Sequence, residues 1–422
     1  MSSGGVGTHM NLSEAENRLL SYLDARADEV LEFARELIRT PSPNPPGDER
    51  AVADLVTSQL AELGITAVER VGKTPERPNL IARIPGTGGG PKLMVSGHLD
   101  TKPAGDLEAW NTDPWDPVLE DGQLIGLGSG DMKAALAAMV YMMGGVKKVG
   151  PLAGDLVAVF TADEEAGSLV GSKWMAENGL LEADVALIGE PSGVEREWES
   201  IHLVSRGAAL FKIRITGTQM HSSISDRIKG VNATVQMARL IDRMDRDLKS
   251  YLTYEPHPLC PTGPTVNVGV MAEAGVFYGV YPGNAEFACD VRTLPGMEER
   301  QMIEDVNRFL TAAMNDEPDL QAELVWDLMV PATEIPADQP LVPILAAATC
   351  EVLGHEPRLD AFPGATDAPH FQLTAGIPCV AAFGPGMLPR AHSPNEYLSA
   401  DSVAAAARIY GLSTLRFLGL PG

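Results

Sequence analysis

The sequence predicts an α/β protein: a mostly parallel sheet with helices on both faces, interrupted by an inserted α+β domain. Short apolar runs alternate with helical patterns in the first half of the chain, as is typical of a parallel sheet. The rhythm changes near residue 198 to longer strands and two helices, and the first rhythm resumes later. At 422 residues the chain is long enough for two domains. We assign 11–197 and 316–422 to the larger domain and 198–315 to the inserted one.

The individual elements follow from spacing and end signals. A capping box of Ser13 and Glu16 begins a first long helix that reaches about Thr40, and a second helix covers 50–63. In the larger domain the pattern predicts strands at 79–84, 92–96, 155–161 and 185–188, and helices at 132–148, around Ser172, at 341–353 and at 402–417. In the inserted domain it predicts strands at 201–216, 265–270 and 285–291, and helices at 230–248 and 298–314.

Composition excludes several classes of protein. The formal net charge of -25 argues against nucleic acid and anionic membrane surfaces as partners. No apolar run reaches the roughly 20 residues of a membrane helix, and no signal peptide is recognisable. The first ten residues, His9 included, read as an expression-tag remnant. Because the four cysteines show no C-x-x-C pairing, we expect reduced core residues and a cytoplasmic protein: Cys260, Cys289, Cys350 and Cys379.

Acidic and histidine side chains stand at the predicted ends of buried strands and in nearby loops. Each has an ordinary alternative: a surface pair for the first motif, a helix cap for the second, solvated loop acids for the third, and plain loop residues for the last two. The candidates are His98 and Asp100 in GHLD, Asp131 in GLGSGDMK, Glu164 and Glu165 in TADEEAG, Glu190 in IGEP, and His392 in AHSPNE.

Taken together, these residues indicate a metal site. The acids at 163–165 follow a very apolar strand and repel one another unless a cation lies among them. A parallel sheet brings its strand ends to one edge, where ligands collect. His98 can bind a metal through one ring nitrogen while Asp100 accepts a hydrogen bond from the other. Two histidines with carboxylates fit zinc or a neighbouring transition metal, and the number of ligands favours two ions bridged by one carboxylate.

The motifs SGHLDT, GDMK, DEEAGS, GEPS and AHSPNE, in this order, resemble the zinc-dependent amidohydrolase and exopeptidase family that includes acetylornithine deacetylase, succinyl-diaminopimelate desuccinylase, carboxypeptidase G and aminoacylase. The resemblance covers essentially the whole chain after residue 10. It implies two divalent ions, zinc first, with cobalt or manganese possible. It also implies a cis peptide bond after Asp131 and these roles: His98 and Glu190 for one ion, Glu165 and His392 for the other, Asp131 as the bridge, and Glu164 as the general base that activates water.

The same resemblance makes the inserted domain a lid and dimerisation domain. His221, in GTQMHSS, is then expected to stabilise the oxyanion in the partner subunit of a homodimer, although without the resemblance it would be an ordinary loop residue. Asn267 and Arg292 are expected to hold a substrate carboxylate, and Thr366, in GATD, to complete that pocket.

The resemblance implies hydrolysis of the amide bond of an N-acylated amino acid or small peptide. SPNPPG and AHSPNE favour the acetylornithine deacetylase and succinyl-diaminopimelate desuccinylase branch. Carboxypeptidase and dipeptidase activity stay open, as does a catalytically silent binding relative, which should have lost Glu164 or a ligand. Two departures affect the substrate pocket: Leu127 replaces the usual arginine, and Ala134 and Ala135 replace a glycine pair.

Overall fold

The structure is a computed structural model that describes residues 12–421. The predicted tag remnant, with His9, lies outside the described residues. The chain forms two compact units. The first consists of the chain up to Leu203, Ile335–Phe362 and the chain from Thr366 onward; the second consists of Val204–Glu334 and Pro363–Ala365.

The first unit begins with helices and continues as alternating strands and helices. Ser13 caps the first helix, and Glu16 completes the expected capping box. The helices before the second unit are α1 Glu14–Asp24, α2 Ala27–Ile38, α3 Arg50–Glu62, α4 Ala134–Val149 and α5 Ser172–Glu177. The strands are β1 Val68–Val71, β2 Asn79–Ile84, β3 Lys92–His98, β4 Val118–Glu120, β5 Gln123–Ile125, β6 Asp155–Thr161, β7 Val185–Ile188, β8 Pro191–Gly193 and β9 Ser200–Ser205.

The prediction of one long helix up to Thr40 was wrong, because the chain breaks it into α1 and α2. Arg26 leaves the helical conformation, with φ −121° and ψ 13°, and its carbonyl then accepts the first hydrogen bond of α2, from Val30. Both helices pack on α4, so the break aims each apolar face at the same buried helix. Apolar spacing across the break fits a continuous helix, which is why the sequence does not reveal it.

The second unit is an antiparallel sheet with two helices packed on it. Its strands are β10 Gly207–Thr216, β11 Met220–His221, β12 Thr265–Ala274, β13 Val280–Tyr281, β14 Asn284–Thr293 and β15 Ala322–Val330, and its helices are α6 Ala233–Tyr251 and α7 Glu299–Asp316. The four longest strands form one sheet in the order β12-β14-β10-β15. Buried and accessible residues alternate along β14, as expected when helices cover one face of a sheet.

The second unit ends later than the predicted residue 315. The pattern after residue 320 predicts a return to the larger domain, but β15 pairs with β10 along most of its length and so belongs to the sheet of the second unit. A strand has the same local pattern whichever sheet it joins. The return to the first unit contains β16 Thr333–Glu334, α8 Leu341–Leu353, β17 Arg358–Phe362, β18 Cys379–Val380, β19 Gly384–Met387, β20 Tyr397–Ser399 and α9 Ala400–Leu418.

The sheet of the first unit has the order β1-β2-β6-β3-β7-β18. The strands β6, β3, β7 and β18 are parallel, and β2 alone runs antiparallel to its two neighbours β1 and β6, which confirms the expected mostly parallel sheet. Helix α5 packs on one face, and α4 and α9 on the other. Leu156–Thr161 of β6 is buried throughout, as is typical of a central strand covered on both sides.

Cys289, Cys350 and Cys379 are free thiols. Cys260, Cys289 and Cys379 are buried as predicted, but Cys350 is exposed, because it lies on the outer side of α8 rather than in the core. Within residues 12–421, no helix is both long enough and apolar enough to cross a membrane.

Candidate metal centre

Three neighbouring parallel strands deliver most of the predicted site residues. His98 ends β3, Glu164 and Glu165 follow β6, and Glu190 follows β7. Since β6, β3 and β7 are adjacent and parallel, their carboxyl ends lie at one edge of the sheet. Asp131 joins them from the turn before α4, and His392 joins from the loop before β20.

Glycines let the strand ends pack closely against the turn before α4. A Cβ atom on Gly97, the residue before His98, would lie 2.6 Å from the Cε of Met132. A Cβ atom on Gly189, the residue before Glu190, would lie 3.0 Å from the same methyl group. The two ligand-bearing strand ends are therefore held close to the turn that carries the aspartate.

The carboxylate of Asp131 is shared between two groups of side chains. Its Oδ1 lies 2.9 Å from Nε2 of His98, which is also 3.6 Å from Oε1 of Glu190. Its Oδ2 lies 3.1 Å from Nε2 of His392, which is also 3.2 Å from Oε2 of Glu165. The peptide bond after Asp131 is cis, as expected. One carboxylate thus faces two clusters of donors, each with one imidazole and one further carboxylate.

The ordinary alternatives for these residues do not fit the structure. Asp131 does not cap α4, because its side chain turns to the histidines and no side chain caps that helix. His98 and Asp100 are buried, so they are not a surface pair, and Glu165 is 8% exposed, so it is not a solvated loop acid. Glu164 is half-buried beside them.

Asp100 orients His98 differently from the prediction. Nδ1 of His98 donates to the backbone carbonyl of Asp100 at 2.9 Å, whereas the nearer carboxylate oxygen is 3.6 Å away. The carboxylate instead accepts hydrogen bonds from the backbone N–H groups of Glu164 and Glu165, both at 3.2 Å. The carbonyl therefore keeps Nε2 of His98 pointed at the cluster, and the side chain holds the acidic turn.

The charges of the cluster conflict unless a cation joins it. Burial raises the pKa of Glu190 well above its usual range, and the negative charge of Asp131 raises it further. Burial also raises the pKa of Glu164, with Asp367, Glu165 and Asp131 adding to the effect. Burial alone would lower the pKa of His392, but hydrogen bonds to Asp131 and Glu165 outweigh it and raise that pKa to about 10. Divalent cations relieve such crowding of carboxylates.

The donor set fits two divalent ions. One donor atom from each of His98, Asp131 and Glu165 lies within 4.8 Å of the others, and the same holds for His98, Glu164 and Glu190. Imidazole nitrogens with carboxylate oxygens and no thiolate suit zinc or a neighbouring transition metal rather than calcium. His98, Asp131 and Glu190 would hold one ion, and His392, Asp131 and Glu165 the other.

Glu396 supports the turn that carries the bridging aspartate. Glu396 is not among the site residues predicted from the sequence. Its Oε1 accepts the backbone N–H groups of Gly130 and Asp131 at 2.8 and 3.0 Å, and its Oε2 accepts that of Gly128 at 3.0 Å. Burial and the charge of Asp131 raise its pKa to about 8. A signal was present: AHSPNE contains this acid four residues after His392, and the three glycines before Asp131 leave open backbone donors.

Two further charged side chains adjoin the acidic turn: Lys102, which was not predicted, and Asp367, the last residue of the GATD segment expected to complete the substrate pocket. Lys102 pairs its Nζ with Oε2 of Glu165 at 3.2 Å, and its backbone N–H donates to Oε1 of the same carboxylate at 3.1 Å. Asp367 is buried and accepts hydrogen bonds from Thr161 at 3.2 Å and Ser168 at 2.5 Å. Lys102 directly follows the SGHLDT motif, and Asp367 directly follows Thr366.

The remaining predicted substrate residue of the first unit is Thr366. It is 4% exposed, and its Oγ1 accepts the backbone N–H of Ala368 at 3.2 Å. Its hydroxyl thus shapes the loop that carries Asp367. A direct role for Thr366 in substrate binding stays a prediction.

The other predicted substrate residues lie in the second unit. His221 is exposed, and its Nδ1 accepts a hydrogen bond from the backbone N–H of Ser223 at 3.2 Å, which leaves the proton of a neutral ring on Nε2. Asn267 lies on β12 opposite Asp290 of β14, and Arg292 donates to Asp290 at 2.8 Å. Nε2 of His221 is therefore oriented as a donor, and Arg292 already has one carboxylate partner.

The sequence of residues 94–415 matches the family described as Peptidase family M20/M25/M40. The chain belongs to this family. It is 28% identical over 407 residues to the succinyl-diaminopimelate desuccinylase of Phenylobacterium zucineum (strain HLK1), covering 93% of this chain and 99% of that one. It is 31% identical over 383 residues to the acetylornithine deacetylase of Edwardsiella ictaluri (strain 93-146), covering 87% and 92%. The family resemblance predicted from the motifs is confirmed.

Solved structures share the fold. The di-peptidase Dug1p from Saccharomyces cerevisiae superposes with a TM-score of 0.76 at 17% identity, covering 97% of this chain and 100% of that one. The YXEP protein of Bacillus subtilis, described as a dinuclear metal binding peptidase from the M20 family, superposes with a TM-score of 0.66 at 17% identity, covering 94% and 99%. Family membership and the cluster around Asp131 make this chain a metal-dependent hydrolase of amide or peptide bonds.

Proposed function

We propose that this chain hydrolyses the amide bond of an N-acylated amino acid, with zinc as the first choice for its two divalent ions. The observation that carries the proposal is the carboxylate of Asp131 shared between two donor clusters, with Glu164 beside them. Relatives named as a deacetylase and a desuccinylase match over about nine tenths of the chain, and both names describe removal of an acyl group from an amine.

Glu164 is the proposed general base. The ions, when bound, lower the pKa of water and stabilise negative charge on the carbonyl oxygen. Glu164 takes the proton from the attacking water and delivers it to the leaving amine. Burial and the charges of Asp367, Glu165 and Asp131 raise the pKa of Glu164 above its usual range, and a carboxylate that holds a proton more firmly suits a group that accepts one and later returns it.

The second unit is the proposed lid and dimerisation domain. Among the described residues, its edge strand β12 pairs only with β14, and it exposes Val270 and Met271 by 54% and 62%. The turn that follows exposes Phe277 by 76%. Edge strands with exposed apolar side chains associate readily with another strand, and here a second copy is the proposed partner.

In this homodimer, Nε2 of His221 donates to the oxyanion, and Arg292, Asn267 and Thr366 hold the substrate carboxylate. Sedimentation that shows a fully active monomer would contradict this arrangement.

We further propose that the native metal is zinc, with cobalt or manganese as substitutes, and that the protein works in the cytoplasm. The mixed imidazole and carboxylate donors support the metal assignment. The free thiols of Cys289, Cys350 and Cys379 suit a reducing compartment.

A substrate panel tests the activity. N-acetyl, N-succinyl and N-formyl amino acids and dipeptides are assayed after loading with zinc, cobalt or manganese. The proposal expects turnover of an N-acyl amino acid. Preferred cleavage of dipeptides would favour the peptidase alternative. The di-peptidase Dug1p has the same fold as this chain. No turnover with any substrate and metal would favour a silent binding relative.

The first variant to test is Glu164→Gln, which keeps the size of the side chain and removes its proton-accepting charge. We expect kcat to fall by about 10²- to 10⁴-fold while both ions stay bound. The control is Glu177→Gln, which removes an exposed acid on α5. Metal content is measured alongside hydrolysis. Hydrolysis that survives Glu164→Gln at full rate would remove Glu164 from the mechanism.

A further inference from the structure

Three carboxylates lie close together behind the metal centre, and none of them is a proposed ligand. Glu49 and Asp100 are both 0% exposed, and Asp163 is 6% exposed. Asp163 is the first of the three consecutive acids, and the mechanism gives it no role. Buried carboxylates at such close range repel one another unless donors are placed between them.

Asn44, from the SPNPPG segment, supplies the donor between two of these carboxylates. Its Nδ2 donates to Oδ2 of Asp100 at 2.9 Å and to Oδ1 of Asp163 at 3.0 Å. Both hydrogens of the amide are therefore used, and the rotated amide would turn its oxygen towards two negative charges. Asn44 is 3% exposed, so water does not take over this contact.

Arg77 holds the other side of the same group. Its Nη2 donates to Oδ1 of Asp163 at 2.9 Å, and its Nε and Nη2 donate to the two oxygens of Glu49 at 2.7 and 2.8 Å. The single positive charge of Arg77 offsets only one of the two negative charges of Glu49 and Asp163. The amide of Asn44 is thus left as the link between Asp163 and Asp100.

Asp100 and Asp163 together hold the turn that carries the base and a ligand. Asp100 accepts the backbone N–H groups of Glu164 and Glu165 at 3.2 Å. The Oδ2 of Asp163 accepts the N–H of Val170 at 3.2 Å, and its carbonyl accepts that of Ser168 at 2.6 Å. Asp163 itself has a φ of +66°, a conformation that needs such support. A change in the separation of the two aspartates would rotate this turn.

We propose that Asn44 is a positioning residue whose amide fixes the distance between Asp100 and Asp163 and thereby sets Glu164 and Glu165 in the metal centre. The inference rests on the proposed function for the roles of those two glutamates. The side chain of Asn44 donates to Asp100 and Asp163, and neither of these is a proposed metal ligand. Without its amide, two negative charges face each other across a buried gap, and the turn carrying the glutamates moves as they separate.

The test measures metal affinity and kinetics of Asn44→Ala in the full chain. Zinc and cobalt affinities are measured by competition with a chelator. We expect affinity and kcat each to fall by about 10- to 100-fold, as is usual when an outer partner of metal ligands is lost. KM should stay within about two-fold, because the substrate contacts are unchanged.

The matched control is Asn79→Ala. Asn79 is also fully buried and makes two hydrogen bonds near the same turn, with the N–H of Ala162 at 2.9 Å and the carbonyl of Val170 at 3.0 Å, but it contacts no carboxylate. The Asn79→Ala substitution should lower the Tm of the metal-free protein and leave its metal affinity within about three-fold of the wild-type value. Equal losses of metal affinity in the two variants, in proportion to their Tm, would mean that Asn44 is merely structural.

A double substitution tests the physical cause. Asp163→Asn removes one of the two facing charges and keeps the shape of the side chain. If Asn44 acts by separating two carboxylates, Asn44→Ala should cost less than about three-fold in metal affinity in the Asp163→Asn background. An undiminished loss, or no loss in the single variant, overturns the inference. Because affinity is read without turnover, a failed substrate panel with weakened metal binding in Asn44→Ala would reject the proposed activity and keep the role of Asn44.

Discussion

The two histidines of the metal centre are held in different ways. His98 ends a buried strand and its side chain is 1% exposed, whereas His392 lies in a loop with a φ of +58° and its side chain is 47% exposed. The ladder between β3 and its neighbours fixes the backbone of His98. The side chain of Asn395 ties the loop of His392 to backbone groups: its Nδ2 donates to the carbonyl of Ala109 at 3.1 Å, and its Oδ1 accepts the N–H of Asn111 at 2.7 Å. One half of the centre is thus built by the sheet and the other by loop contacts.

This difference suggests unequal tolerance to change. At His98, a lost imidazole leaves the buried carboxylate of Glu190 without its imidazole partner and leaves Asp131 with His392 alone. At His392, water can enter and replace a missing donor. The comparison therefore predicts that the two halves respond differently to matched substitutions.

The largest expected effect comes from His98→Ala and His392→Ala, compared under identical conditions. We expect both to weaken metal binding, with a loss at least about ten-fold greater for His98→Ala, because a buried carboxylate without its partner is costly. Calorimetric titration with zinc gives affinity and stoichiometry for each. Equal losses of metal affinity, or a greater loss for His392→Ala, would show that the half built by the sheet does not depend more strongly on its histidine.

A smaller effect is expected for Glu396→Gln, which tests the support of the bridging turn. Glutamine keeps one oxygen for the N–H groups of Gly130 and Asp131 but offers an amide nitrogen to the N–H of Gly128. We expect metal affinity to fall by about ten-fold, as for other outer partners of metal sites. Chelator competition measures it, with exposed Glu356→Gln as the control for loss of charge. Unchanged affinity would show that the turn holds its shape without Glu396.

The smallest effect concerns His202, a histidine outside the metal centre. Neighbouring carboxylates raise the pKa of His98 and of His392. Burial instead lowers the pKa of His202 below its ordinary 6.5. Nε2 of His202 donates to the carbonyl of Ser192 at 3.0 Å. Below about pH 6.5 the unfolded chain binds a proton that the folded chain does not, so the free energy of unfolding falls as pH falls, by at most about 1.4 kcal/mol per pH unit.

The measurement compares urea unfolding of wild-type and His202→Gln at about pH 7.5 and about pH 5.5 in the presence of a chelator. The variant should lose less stability on acidification, because glutamine does not titrate. The difference between the two slopes isolates His202 from the metal histidines, which are the same in both proteins. Parallel slopes would show that His202 is not held neutral by the fold.

The same contrast explains how much could be predicted from the sequence. His98, Glu165 and Glu190 stand at the ends of strongly apolar strands, and the parallel order of those strands brings them together. His392 has no such local signal, and only its motif within the family placed it in the centre. Glu396 and Asn44 act through backbone groups and carboxylates that lie far away in sequence, so the pattern around each says little about its partner.

The errors in the fold have a related cause. The break between α1 and α2 and the membership of β15 depend on what each segment packs against, and neither depends on its own periodicity. Asp100 was expected to hold His98 through its carboxylate, but the carbonyl of the same residue does so and frees the carboxylate for the acidic turn. Residue type predicted the right partner and the wrong atom.

Two ions held by the shared carboxylate of Asp131 would be thermodynamically linked. An ion bound to one oxygen of Asp131 would fix the orientation of the other oxygen and draw electron density from it, so it would both prepare and weaken the second position. Linkage requires that each ion change the affinity of the other by the same factor. A titration of this protein is therefore described by one coupling constant as well as two intrinsic affinities, and a substitution in either half is felt in the occupancy of both.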